Sequence, residues 1–195
     1  YSLLTEGCLR HAGTSVADNG TALGTMGFSS GKWYWEVGMG NMRYSTPGPG
    51  ISTGSQGNAP SATIGAPVNL VYYAGNSSNQ LREHNNVLWG TYGETETGIA
   101  QFSAGDVMMC ALDVDNKKMW YGRNGSWFNS GNPATGSNPQ QTWTGTGFDI
   151  FPAQTDYDST SSSVSNLNFG QNGTFNGTET AQGNSDDTGY GDFYY

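Results

Sequence analysis

The chain of 195 residues carries 16 acidic against 7 basic side chains, a formal net charge of −9, and only 34% of it is apolar while 30 residues are Gly. A length of this order fits one β-sandwich domain with a real core, and small polar residues linking a few large aromatics suit many short strands with tight turns rather than helices. The basic residues are scattered, with Lys117-Lys118 their one adjacent pair, so the positive patch that phosphate recognition needs is missing and nucleic acid is excluded as a partner.

In chain order, the first clear strand is Lys32 to Val37, where Trp33, Trp35 and Val37 fall on one face and Lys32, Tyr34 and Glu36 on the other. A long polar stretch follows, Asn41 to Pro67, punctuated by Gly48-Pro49-Gly50 and Asn58-Ala59-Pro60. It reads as an elaborated loop with at most one short strand around Ile51. Val68 to Tyr73 is the next strand, and two short ones are read at Gln80–His84 and Asn86–Gly90. Asp106 to Val114 is the strongest core strand, apolar on both faces at its start, as for a strand covered on both sides. Lys117 to Tyr121 and Ser126 to Phe128 flank Asn124-Gly125, a strong hairpin signal. Phe148 to Ala153 and Val164 to Gly170 complete the set. No window of ten residues has helical periodicity and no internal repeat is present. Gln171 to Asp187 is Gly, Asn, Thr and Asp with one Phe, and reads as an extended, weakly packed arm.

These strands carry a resemblance. Ser29-Ser30-Gly31-Lys32-Trp33-Tyr34-Trp35-Glu36-Val37 resembles the opening signature of the SPRY (B30.2-type) domain, as does Gly105-Asp106-Val107 leading into Ala111 to Gly125. Phe151-Pro152-Ala153 and Leu167-Asn168-Phe169-Gly170-Gln171 resemble its closing segments, in the family's order. Trp127 to Gly136, with Gly189-Tyr190-Gly191-Asp192-Phe193-Tyr194-Tyr195, is similar to SPRY domains of bacteriophage proteins. The resemblance implies an all-β fold of two antiparallel sheets in a bent, concanavalin-like sandwich, binding through loops at one edge, with no catalysis and no cofactor. The sandwich is expected over residues 1–171, with the family match over about 29–171, and residues 172–195 as an arm continuing into a longer parent chain. The long Asn41–Pro67 loop departs from the family, so no binding residue carries over there.

Motifs for chemistry are weak. Gly27-Phe28-Ser29-Ser30-Gly31 satisfies G-x-S-x-G, but a nucleophile elbow needs a strand before it and a helix after it, and here a strand follows. His11 and His84 have no metal-ligand spacing to each other or to a cysteine. Asp113-Val114-Asp115-Asn116 starts like a calcium loop, yet Lys118 and Asn124 stand where Gly and Glu are required, so a turn between core strands is the reading. Asp156, Asp158, Asp186 and Asp187 read as solvated loop acids. No metal site is expected. Glu94 and Glu96 would share one face if extended, the best candidates for a glycosidase pair, but nothing around them indicates the burial that raises one carboxyl pKa. Five N-x-S/T sequons arise by chance in so Asn-, Ser- and Thr-rich a chain. Cys110, in the six-residue apolar run Val107 to Leu112, reads as a small buried thiol, with a Cys8–Cys110 disulfide the alternative. That run is far short of the roughly 20 residues a bilayer demands, and no membrane insertion is expected.

Tyr44, Tyr73, Tyr92 and Trp143 fall in or beside expected loops and are the candidate partner-binding residues, the alternative being that they plug the ends of the sandwich. The reading that results is a non-catalytic virion module of a phage, in tail, fibre or capsid decoration. Its expected partners are other virion proteins, copies of itself, or a host-surface glycan or protein. The alternatives are a cellular SPRY adaptor binding a short peptide on its loop face and, more weakly, a glycan-active enzyme using Glu94 and Glu96.

Overall fold

The computed structural model describes residues 2–5, 10–13, 18–40, 48–52, 70–74, 80–84, 94–96, 103–143, 149–158, 164–175 and 177–195, with side chains over 22–40, 49–52, 103–143, 149–154, 164–175 and 177–195. The strands are β1 (Ser2–Thr5), β2 (Arg10–Gly13), β3 (Asp18–Leu23), β4 (Lys32–Met39), β5 (Gly48–Ser52), β6 (Leu70–Ala74), β7 (Gln80–His84), β8 (Glu94–Glu96), β9 (Val107–Asp113), β10 (Lys118–Arg123), β11 (Ser126–Trp127), β12 (Gln141–Thr142), β13 (Phe151–Asp158) and β14 (Val164–Asn168). Among the described residues the one helical element is a 3-10 turn, Phe128–Ser130, and no helix is long and apolar enough to cross a membrane.

The strands form two antiparallel sheets. The first runs β1-β2-β14-β4-β9-β10-β11, with β12 also on β10, and the second runs β3-β13-β5-β6-β7-β8. Alternation decides what lies between them. Trp35, Val37 and Met39 of β4, Met108, Cys110 and Leu112 of β9, and Met119 and Tyr121 of β10 point inward, meeting Ile51 of the second sheet together with Phe28 and Ile150. The two-sheet, all-β sandwich implied by the sequence is the observed fold.

Most strands lie where the periodicity places them. β7 has the expected bounds, and β4, β9, β10 and β14 shift by two residues or fewer at each end. The short strand around Ile51 is β5. The third residue of the Ser126–Phe128 segment departs, because Phe128 begins the 3-10 turn in which Asn129 and Ser130 both take positive φ. β1, β2 and β3 were not anticipated. They lack apolar alternation, and β2 and β3 are strands because β14 and β13 offer them backbone partners, all six residues of β3 pairing with Ala153–Asp158. The Asn86–Gly90 segment lies outside the described residues.

Asn124-Gly125 forms the two-residue hairpin turn, with φ of 49° and 79°, the left-handed pair that matches the twist of the flanking strands. The Asn124 amide fastens the turn to β9, accepting from the Val107 N–H at 2.8 Å and donating to Asp106 Oδ1 at 2.7 Å.

Every residue of β9 is buried, as its two apolar faces require, and Glu36 of β4 is buried too, on the face turned away from the core. That face is covered by the C-terminal arm. Phe175, 3% exposed, packs on Gly38, where an added Cβ would lie 3.0 Å from the ring. Phe193 meets Tyr34 edge-on at 5.0 Å between ring centres. Composition indicated a weakly packed arm; its exposed middle fits that description, but its aromatic residues anchor both ends.

Glu36→Ala removes the acceptor for four donors, one buried and three part-buried, and a buried donor left orphaned costs about 1–3 kcal/mol. It should lower unfolding stability in urea and open residues 177–190 to limited proteolysis. Leu112→Ala, a cavity on the other face, should cost about 2–5 kcal/mol while leaving the arm protected. Equal protection of the arm in both variants would refute the role of Glu36 in holding it.

Candidate functional site

The outer face of the first sheet is built by register. Lys32, Tyr34 and Glu36 of β4 stand opposite Asp113, Ala111 and Met109 of β9, and these stand opposite Lys118, Trp120 and Gly122 of β10. Trp127 of β11 pairs with Gly122 and brings its indole to the same side, edge-on to Tyr34 at 6.2 Å.

A loop is strapped over the β10 end of this face. The Trp120 indole N–H donates to the Ser137 carbonyl at 2.8 Å, Lys118 Nζ donates to the Gly136 carbonyl at 2.8 Å, and Gln140 Nε2 donates to the Phe128 carbonyl at 2.8 Å. Gly131 lies so close to Trp120 that a Cβ there would come within 2.9 Å of the indole.

The opposite wall is the arm. Gly170 at φ 95° starts it, and Asn168 Oδ1 accepts the N–H groups of Gly170 and Asn172. Asp186 Oδ1 accepts from the Thr188 N–H, the Thr188 hydroxyl and the Tyr190 N–H, closing a turn. The chain then runs back to Glu36. Its Oε1 accepts the Tyr34 hydroxyl at 2.9 Å and the Tyr195 N–H at 2.7 Å, and its Oε2 accepts the Tyr194 N–H at 2.9 Å and Asn168 Nδ2 at 3.1 Å. Burial, followed by the Glu36 charge, pushes the Tyr34 phenol well up, so it stays protonated and donates.

Between loop and arm lies a cleft of about 560 Å³, within the range of ligand-sized pockets. Tyr34 and Trp120 are at its base, Trp127 and Pro133 on the loop side, and Phe193 and Tyr195 on the arm side. Three carboxylates, Asp113, Asp186 and Asp187, and one ammonium, Lys32, line it. Desolvation works against the Asp113 carboxylate, but hydrogen bonds from the Asn116 side chain and N–H, with Lys32 and Lys118 nearby, outweigh it and hold the carboxyl below its ordinary range. Asp186 is held low as well, chiefly by the Thr188 hydroxyl.

The expected site residues fare differently. Trp143, 6% exposed, is packed into the core cluster, in keeping with the plug alternative. Tyr73 is on β6, but its side chain is outside the described set, and Tyr44 and Tyr92 lie wholly outside it, as do residues 53–69 of the long loop. Glu94 and Glu96 are on β8, two apart in a strand, and their side chains are likewise not described. Ser29 sits in a bend between the Phe28–Ile150 bridge and β4, so a strand, not a helix, follows it. Asp113 to Asn116 leads into the β9–β10 turn. Cys110 is a free, buried thiol, its pKa pushed up first by burial and then by Glu36; Cys8 is outside the described residues. Among the described residues no group of three or more His, Cys, Asp or Glu could hold a metal. The reading missed Tyr34, Trp127 and Tyr195. A tyrosine between Lys32 and Glu36 on the second face of β4, together with an aromatic cluster at 193–195, was the available signal for a second covered face.

No family profile and no curated protein matches the chain. Solved structures do. The SPRY domain of human HERC1 superposes with a TM-score of 0.61 at 17% identity, covering 88% of this chain and 94% of that one. A human SPRY domain gives 0.56 at 15% identity over 85% and 93%, and the TRIM65 PSpry domain gives 0.52 at 13% over 85% and 84%. The chain has an SPRY-like fold.

The depressed Asp113 pKa has a pH signature. Its stabilising contribution is full above the unfolded carboxyl value of about 3.9 and is lost as pH falls through the lower folded value. The urea-midpoint gap between the wild type and Asp113→Asn should therefore be widest near neutrality and shrink in acid. A gap that widens in acid would contradict the assignment.

Proposed function

We propose that the chain is a non-catalytic protein-interaction module whose working surface includes the cleft between β11, the 131–137 loop and the arm. The observation that carries this reading is a ligand-sized, aromatic-walled cleft, held by hydrogen bonds along both of its walls, on one face of an SPRY-like sandwich. Interfaces concentrate their energy in partly buried aromatics of this kind. The likeness to solved SPRY domains supports the interaction role.

For its setting we propose the particle of a bacteriophage, in tail, fibre or capsid decoration, where the module would contact other virion proteins, copies of itself, or a host-surface glycan or protein. The support is the similarity of Trp127 to Gly136 and of Gly189 to Tyr195 to phage SPRY sequences. Both segments border the cleft. A second reading, a cellular adaptor that binds a short peptide, is favoured by the human proteins among the structural neighbours.

Peptide mapping of purified particles should find the chain in stoichiometric amount. Absence from particles with presence in cell lysate would move the adaptor to first place. For either setting, Trp127→Ala should weaken partner binding by roughly tenfold or more, whereas Met26→Ala, an exposed residue outside the cleft, should leave it unchanged.

A further inference from the structure

The cleft has a charge and an aromatic lining that select a particular side chain. Its carboxylates outnumber its one ammonium three to one, and that ammonium, Lys32 Nζ, already lies 3.9 Å from Asp113 Oδ2. Asp113 is further occupied by Asn116, which donates to both carboxylate oxygens. Asp186 spends one oxygen on three donors of its own turn. Asp187, exposed, makes no hydrogen bond among the described residues and stands on the arm wall as an open acceptor. The cleft therefore keeps an excess of negative charge after its internal pairs are counted, in a chain that is itself strongly acidic.

Its other surfaces are flat and π-rich. Trp127 is half-buried against Tyr34, and Tyr195, 38% exposed, lines the cleft from the arm side. A cation set among aromatic faces is attracted by their quadrupoles. Of the two cationic side chains, the guanidinium is the better match: it is planar, weakly hydrated, stacks on aromatic rings and grips a carboxylate with two parallel N–H donors, where an ammonium is a compact, strongly hydrated point charge.

We propose that the cleft takes an arginine side chain of a partner protein, the guanidinium stacked between Trp127 and Tyr195 and paired with the Asp187 carboxylate. This rests on the interaction-module reading and names the partner's chemistry. Asp186 supplies long-range attraction from a carboxylate already held ionised by its turn, and Lys32, tied to Asp113, sets the limit on how many positive charges the cleft accepts.

The test selects short random peptides on the whole chain by display, then measures affinity for an arginine-containing winner and for the same peptide with citrulline, its neutral isostere. The expected result is enrichment of arginine, a loss of roughly tenfold or more on citrulline replacement, and a similar loss for the arginine peptide on Asp187→Asn. The substituted residue is exposed, so the variant should keep the wild-type melting temperature. Added salt should weaken the arginine peptide and leave the citrulline peptide unchanged. Winners that lack arginine yet lose binding on Trp127→Ala would overturn the arginine assignment and leave the interaction role standing, as would equal affinity for the citrulline peptide. Failure to enrich any peptide that depends on Trp127 would overturn both.

Discussion

A carboxylate buried without exposure to water, Glu36, is the constraint on which the outer half of this protein depends. Burying a charge costs heavily unless hydrogen bonds replace its hydration, and here two of the four donors are backbone N–H groups from residues 158 and 159 positions further along the chain. The strand and the arm therefore need each other. Without the arm Glu36 would be a solvated side chain on an open sheet face, and without Glu36 the last backbone N–H groups of the arm would lose their acceptor.

That single closure propagates. Drawing Tyr194 and Tyr195 down to β4 seats Phe193 on Tyr34, and the turn at Asp186 is carried along with it. The arm becomes one wall of the cleft. The other wall is made by a different device, a loop whose carbonyls are held by the side chains of Trp120, Lys118 and Gln140. Both walls stand on β4, β9 and β10, whose opposite faces form the main core, so the site rests on the most deeply packed strands of the sandwich. A surface mounted this way is pre-organised, which would lower the entropy cost of the recognition proposed for it.

Much of the sandwich was legible in the residues. β4 declared itself by period-two alternation, β9 by an opening that is apolar on both faces, and the β10–β11 turn by Asn124-Gly125. The cleft was not legible, because period-two reading assigns one face of a strand to the core and leaves the other to solvent by default. Tyr34 and Glu36 were on that other face. What covers them comes from a segment whose composition signals disorder, and the covering residues, Phe175 and Phe193 to Tyr195, are too sparse to show any periodicity. Trp143 illustrates the converse: an aromatic beside a loop in sequence, it is folded inward to complete the core.

The sequence by itself determined the class of fold, because strand alternation, glycine-punctuated turns and a hairpin dipeptide are local instructions that each short segment carries whole. It determined equally that the surface would be acidic and poor in phosphate-binding charge. Only the tertiary structure decided that Glu36 is buried, that β1 to β3 are strands, and that Tyr34, Trp127, Asp187 and Tyr195 border one cleft. Those outcomes depend on partners distant in the chain, and a hydrogen bond or ring contact across more than a hundred residues leaves no trace in the pattern of either segment alone.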